Sequence, residues 1–159
     1  MKKTRTKNIL KTVEIEEVKV TQILNPERVT ELALPLFLES VSAGFPSPAD
    51  DYIEGKLDLN NYLVRNPTST FFVRVTGDSM IDAGIYSGDI LVVDRSLDTK
   101  DSSIIIAVIN GELLVKRLKK TKSKFYLYPE NKNYEPIEIT QEMNFEVWGV
   151  VTTVIHSVL

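Results

Sequence analysis

A serine and a lysine are the two residues of this chain best suited to act together as a chemical unit. Ser79 lies in the glycine-rich turn of residues 77–80, and Lys116 lies in the apolar run of residues 113–118. A serine hydroxyl becomes a strong nucleophile when a base removes its proton, and a lysine amine is such a base when it is neutral. The pair therefore predicts a hydrolytic serine–lysine dyad.

The lysine must be held in a dry environment, because its ordinary pKa of about 10.4 would keep it charged at neutral pH. Strand alternation places Lys116 on the face of Leu114 and Leu118, and Arg117 on the opposite face. Alternation alone does not choose between the two cations. Lysine is the chemically suitable one, because arginine stays protonated.

The serine is followed by a short turn that would supply hydrogen-bond donors. Residues 80–84 predict a single helical turn that ends at Gly84. Backbone N–H groups are free at the start of such a turn. Those of Ser79 and Met80 would hold a developing oxyanion, a contribution of about 3–4 kcal/mol per donor.

A candidate substrate lies on the same chain. Residues 41–48 place the small-residue bond Ala43–Gly44 just before Pro46 and Pro48. A residue that precedes proline is pushed toward extended geometry, so we expect Phe45 and Ser47 to be extended. Without a suitable enzyme this segment would be read as a plain linker.

Other interpretations of the same residues stay open at this point. Ser79 is also a typical turn residue, and Lys116 could lie at a strand edge with its amine in water. A catalytic triad of Ser79 with His156 would need one of the nearby aspartates, which are Asp78, Asp82, Asp89 and Asp94. The aspartates show no EF-hand spacing and are better explained as turn residues.

Composition excludes several classes of protein. The chain of 159 residues has no cysteine and one histidine, which excludes disulfide scaffolds, thiolate chemistry and histidine-based metal sites. We therefore expect no cofactor and no metal. The net charge is −3, and no apolar run reaches the roughly 18 residues of a membrane span. The basic first eleven residues are not followed by an apolar signal core, so a cytoplasmic protein is expected.

The second half of the chain reads as a series of short strands. The strands are predicted from β-branched and aromatic runs, and Asn110–Gly111 is a strong hairpin signal. The predicted strands cover residues 70–76, 90–94, 104–109, 112–118, 124–128 and 145–155. This spacing predicts a mostly β fold, a small curved-sheet or barrel-like domain.

The first half is less regular. Residues 1–33 are charged and predict a mobile tail, although Val18 and Val20 belong to a weak strand pattern. A short helix is predicted over residues 57–64. The stretch before residue 34 is too short for a helix-turn-helix domain, so no direct sequence-specific DNA binding is expected.

Three separated motifs resemble those of a known family. Residues 77–82, 88–94 and 111–118 are similar to the LexA/UmuD self-cleaving serine–lysine peptidases. Residues 44–52, 58–60, 131–136 and 147–151, together with Phe37, follow the UmuD pattern most closely. The resemblance covers about residues 35–155.

The resemblance implies a fold, a reaction and a set of partners. It implies a LexA-type peptidase domain over residues 44–159 and a flexible extended arm, residues 1–43, that self-cleavage removes. Ser79 would be the nucleophile, Lys116 the general base and Ala43–Gly44 the cleaved bond. It further implies a homodimer, stimulation of cleavage by a RecA filament on single-stranded DNA, and a role in the SOS response to DNA damage. The shortened product would bind a UmuC-like Y-family subunit to form a translesion polymerase, with a sliding clamp as a further partner.

The chain departs from the UmuD pattern in two places. Ala43 stands where cysteine precedes the scissile glycine in the best-known UmuD, which is a mild change because both residues are small. The tail before Pro35 is longer and more basic than expected. Two other functions therefore stay open: an interaction module that binds the polymerase and clamp without cleavage, and a truncated LexA-like repressor whose basic tail contacts DNA phosphates.

Overall fold

The computed structural model describes residues 17–24, 33–37 and 53–159. These residues are mostly β, as the sequence predicts. Within these described ranges, two short helical segments accompany ten strands: the α-helix α1 (Leu59–Leu63) and a 3-10 helix (Ile81–Ala83). The strands are β1 (Lys19–Leu24), β2 (Ala33–Phe37), β3 (Ile53–Asp58), β4 (Thr70–Thr76), β5 (Ile90–Asp94), β6 (Ile104–Ile109), β7 (Glu112–Lys120), β8 (Phe125–Tyr128), β9 (Ile137–Ile139) and β10 (Phe145–Ile155).

Six of the strands close into a barrel. Their order in the sheet is β1-β4-β5-β10-β6-β7, and a further pairing between Lys19 and Leu114 joins β1 back to β7. All neighbouring strands in this ring are antiparallel. Strands β8 and β9 extend the sheet beyond β7, while β2 and β3 form a separate hairpin. The prediction of a barrel-like domain is confirmed.

The longest strand turns a corner of the barrel. The first half of β10 pairs with β6 and the second half with β5, and the register shifts once in each half. Gly149 lies at the first irregularity, where a Cβ atom would come within 2.7 Å of the Val93 side chain. A glycine is therefore needed there for the strands to approach closely.

Two apolar clusters fill the two faces of the curved sheet. The first contains Val18, Phe71, Val73, Val75, Met80, Ile85, Leu91, Val93, Ile106 and Val115. The second contains Ile105, Ala107, Ile109, Leu114, Leu118 and Leu127. Neighbouring residues of β6 and of β7 fall into different clusters, as strand alternation requires. Both faces of β7 are therefore covered, which sets the environment of Lys116.

The first half of the chain differs from the prediction in two details. Residues 17–24 of the predicted mobile tail include a barrel strand, and Val18 is fully buried. The predicted helix over residues 57–64 is shorter: α1 begins after Asp58, whose carboxylate accepts a hydrogen bond from the Asn60 N–H at 2.9 Å. Leu57 and Asp58 instead end β3. Phe45 and Ser47 lie outside the described residues.

Candidate active site

The nucleophile candidate is held in a tight turn between β4 and the 3-10 helix. Gly77 has a φ of 95°, a conformation that favours glycine, and it turns the chain two residues before Ser79. The 3-10 helix ends at Gly84, which has a φ of 74° as the sequence predicts for a helix stop. Ser79 and Met80 are both fully buried. The assignment of their N–H groups to an oxyanion hole stays a prediction.

The structure brings Ser79 and Lys116 into direct contact. The Lys116 Nζ and Ser79 Oγ atoms are 2.8 Å apart, within hydrogen-bond distance, and both side chains are fully buried. Lys116 comes from the middle of β7, between residues that belong to the two core clusters. The neighbouring cation Arg117 points elsewhere: it pairs with Glu130 and donates to the Ser102 carbonyl oxygen at 2.8 Å.

Burial disfavours the charged form of the Lys116 amine. Loss of water around the Lys116 amine lowers its pKa from the ordinary value, while the nearby Glu17 carboxylate acts in the opposite direction. The desolvation effect is the larger one. A lysine with a lowered pKa beside a serine hydroxyl has the properties of a general base.

Two residues of the N-terminal segment also touch the dyad. The Glu17 carboxylate accepts a hydrogen bond from Lys116 Nζ. The Val18 N–H donates to Ser79 Oγ at 3.0 Å. No local pattern predicts these contacts, because Glu17 and Lys116 are 99 positions apart.

A loop after β8 fixes the turn that carries the serine. The Glu130 N–H donates to the Ser79 carbonyl oxygen at 2.9 Å, and the Asn131 side-chain amide donates to the Asp78 carbonyl oxygen at 3.0 Å. The Tyr134 hydroxyl bonds to the Asp78 carboxylate, and the Tyr134 ring centroid lies 6.0 Å from Lys116 Nζ. Sequence reasoning included residues 131–136 in a family pattern but assigned them no role. The available signal in the sequence was two asparagines and a tyrosine within residues 131–134.

The alternative sites are assembled differently. The structure pairs His156 Nδ1 with Asp89 Oδ1 at 2.6 Å, and the His156 ring lies 5.2 Å from that of Tyr86. These contacts of His156 lie away from Ser79.

Within residues 17–24, 33–37 and 53–159, no group of three potential metal ligands occurs. Over the same ranges, no helix is long and apolar enough to cross a membrane. Ala43 and Gly44 lie outside the described residues.

Comparison with known proteins gives a consistent family. The Peptidase S24-like family matches residues 35–152. Protein SamA of Salmonella typhimurium strain LT2 is 48% identical over 123 residues, which cover 77% of this chain and 85% of SamA. Protein MucA of Escherichia coli is 44% identical over 128 residues, covering 80% of this chain and 85% of MucA. Protein ImpA of Shigella flexneri is 44% identical over 128 residues, covering 77% of this chain and 83% of ImpA.

Proposed function

The chain belongs to the Peptidase S24-like family and, within it, to the UmuD-like proteins of the LexA/UmuD group, and from that premise we propose that it is a self-cleaving serine peptidase. Ser79 attacks the Ala43–Gly44 bond, and Lys116 is the general base. The observation that carries this proposal is the 2.8 Å contact between Lys116 Nζ and Ser79 Oγ in a fully buried setting.

The reaction follows the usual course of acyl transfer. The neutral Lys116 amine takes the proton from Ser79 Oγ, which attacks the carbonyl carbon of Ala43. The tetrahedral intermediate collapses when the Gly44 nitrogen leaves with the proton that Lys116 returns to it. A water molecule, activated by the same amine, then hydrolyses the acyl-enzyme and releases residues 1–43 and residues 44–159.

A tethered substrate suits this arrangement. Gly44 and Ser79 are 35 positions apart in the sequence, so a scissile bond carried by the same chain has a high effective concentration at the dyad. In an extended segment, Val41 and Ala43 would project to the same side and fill two apolar pockets, while Gly44 would permit close approach of the backbone. Docking also excludes water and favours the neutral amine.

We place this reaction in the SOS response to DNA damage. A RecA filament on single-stranded DNA would stimulate cleavage by favouring the docked arrangement of the arm. The product, residues 44–159, would act as a homodimer that joins a UmuC-like Y-family subunit to form an error-prone translesion polymerase, with a sliding clamp as a further partner. These partners belong to the cytoplasm. Similarity to SamA, MucA and ImpA over most of the chain supports this assignment.

Intact-mass measurement tests the proposal. Purified chain is held at pH 7 and pH 10, and fragments 1–43 and 44–159 should accumulate faster at the higher pH. Ser79→Ala and Lys116→Ala should abolish both fragments, while Ser87→Ala and Lys119→Ala should cleave like the unmodified chain. Ser87 is exposed, and Lys119 contacts the Ser102 hydroxyl rather than Ser79, which makes them suitable controls. Cleavage that survives both substitutions in the dyad would refute the proposal.

A further inference from the structure

The strand that closes the barrel also covers the candidate active site. β1 fills the gap between β4 and β7, with Val20 opposite Val75 on one side and Lys19 opposite Leu114 on the other. Just before the strand, the Val18 carbonyl oxygen accepts from the Val115 N–H at 3.3 Å. The backbone around Val18 is thus bound on the β7 side as a peptide ligand would be.

The same segment engages both members of the dyad. The Val18 N–H donates to Ser79 Oγ at 3.0 Å, and the Glu17 carboxylate is paired with Lys116. An N–H that donates to Oγ engages one of the two lone pairs of the hydroxyl oxygen, and this contact directs a donor rather than a carbonyl carbon at the serine. A carboxylate beside the amine favours its charged form, which is not a base. Both contacts oppose catalysis.

We propose that the cleft between β4 and β7 is a strand-binding site and that residues 17–24 are its inhibitory ligand in the uncleaved chain. This proposal rests on the proposed self-cleavage and specifies how the same site is regulated. The ligand class is an extended peptide with a carboxylate directly before a β-branched apolar residue. The scissile segment must displace residues 17–24 before it can react.

Burial identifies the anchoring residues of this ligand. Val18 is fully buried in the first core cluster and Val20 packs against that cluster, whereas Lys19 and Gln22 are exposed. The Glu17 side chain is 34% exposed, so its carboxylate lies at the rim and can leave into water without crossing the core. The segment is therefore anchored by Val18 and Val20, and the Glu17 carboxylate lies at the rim of the cleft.

In the same cleft, the scissile segment would differ in one chemical respect. If the Ala43–Gly44 bond replaces the Glu17–Val18 bond beside Ser79, the methyl group of Ala43 takes the place of the Glu17 carboxylate. Lys116 then loses its counter-charge and its neutral form is favoured. Exchange of one segment for the other would convert a closed site into a reactive one.

The first test measures the reactivity of Ser79 directly. Diisopropyl fluorophosphate phosphorylates an activated serine: an Oγ–P bond forms, fluoride leaves, and the hydroxyl proton passes to Lys116. Glu17→Gln in the full chain should raise both the labelling rate and the self-cleavage rate by about tenfold, the effect of losing one charge-assisted hydrogen bond. Glu138→Gln is the matched control, since it removes a carboxylate that pairs with Lys124 far along the sheet.

A second test locks the strand in place. The chain has no native cysteine, and Lys19 and Thr76 are direct cross-strand partners of β1 and β4. In the double variant Lys19→Cys, Thr76→Cys, oxidation should suppress labelling and cleavage by at least about tenfold, and reduction should restore both, because opposed antiparallel positions lie within disulfide range. This comparison uses one folded protein in two states.

The outcomes separate this proposal from the proposed function. Equal rates in the oxidised and reduced forms, or no acceleration in Glu17→Gln, would overturn the inhibitory role while leaving self-cleavage intact. A fragment corresponding to residues 1–17 would also overturn it, because residues 17–24 would then be a substrate. If Ser79 is labelled and the locked form protects it, yet no variant cleaves at Ala43–Gly44, the proposed function fails and the strand-binding site stands.

Discussion

The protonation state of Lys116 is set by two opposing effects. Burial lowers the pKa of its amine, and the Glu17 carboxylate raises it, with burial the stronger influence. The Ser79 hydroxyl and the ring of Tyr134 also lie near the amine. Burial favours the neutral form of the Lys116 amine, so folding is less favourable when this amine is charged. The protonation of Lys116 therefore links the stability of the protein to pH.

We expect Lys116→Met to remove a pH-dependent component of stability. Between the lowered folded-state pKa and the ordinary value of 10.5, the unfolded chain binds a proton at Lys116 that the folded chain does not. Stability of the parent protein should therefore rise with pH across this window relative to Lys116→Met, with a slope of at most about 1.4 kcal/mol per pH unit. Above 10.5 the difference should level off.

Urea unfolding from pH 7 to pH 11 measures this difference. Both proteins should carry Ser79→Ala, which blocks the proposed self-cleavage and leaves the burial of residue 116 in place. Since the quantity compared is a difference between two otherwise identical chains, the titration of other groups cancels. If the free energy of unfolding of the parent, relative to that of Lys116→Met, fell as the pH rose, the lowered pKa of Lys116 would be contradicted.

The loop that follows β8 holds the turn that carries the proposed nucleophile. The buried amide of Asn131 donates to the Asp78 carbonyl oxygen and its side-chain oxygen accepts from the Asn133 N–H at 3.0 Å. The neighbouring Glu130 backbone binds the Ser79 and Asp82 backbones. The turn that carries Ser79 is therefore held from outside, through groups next to the serine in sequence.

We expect Asn131→Ala to destabilise the protein by about 1–3 kcal/mol, because it leaves a buried carbonyl group without its donor. Self-cleavage should slow as the serine turn loosens, while the midpoint of the pH–rate profile should stay near that of the parent, since Lys116 is untouched. Asn133→Ala is the control, because the recorded contact of Asn133 is through its backbone. A shifted pH midpoint in Asn131→Ala would contradict a purely positioning role.

Local sequence patterns predicted the strands that carry the site. The predicted ranges 70–76, 90–94, 104–109 and 145–155 coincide with β4, β5, β6 and β10. These strands contain β-branched runs with turn residues at their ends, so each segment specifies its own conformation. Ser79 and Lys116 could be paired because a serine in a turn and a lysine in the second strand of a predicted hairpin are recognisable as a candidate nucleophile and base.

The missed features depend on contacts between distant parts of the chain. β1 contains charged and polar residues and reads as a tail, but Val18 and Val20 pack against strands more than fifty residues away. β9 has three residues, too few for a pattern. Glu17 contacts Lys116 because β1 closes the barrel against β7. This closure cannot be predicted from the sequence of β1 or of β7 alone.

Barrel closure connects the arm to the rest of the protein. β1 lies before Ala43, so the proposed cleavage separates a barrel strand from the domain that it completes. The departing fragment would leave β4 and β7 as neighbouring open edges, and unpaired strand edges readily pair with other chains. Cleavage would therefore expose the dyad and create an edge surface in the same step.

We expect hydrogen exchange to detect the opened edges. Comparison of uncleaved Ser79→Ala protein with the self-cleaved product should show faster exchange, by about tenfold or more, for β4 amides that face β1, because they lose their strand partner. The β5–β10 ladder is the internal control, since it does not contact β1 and should keep its protection. Mass spectrometry of peptides covering residues 70–76 and 90–94 makes the measurement. Residues 70–76 could instead keep their protection in a product shown to lack residues 1–43. This result would mean that another segment closes the barrel. The strand-binding cleft would then be occupied after cleavage as well as before it.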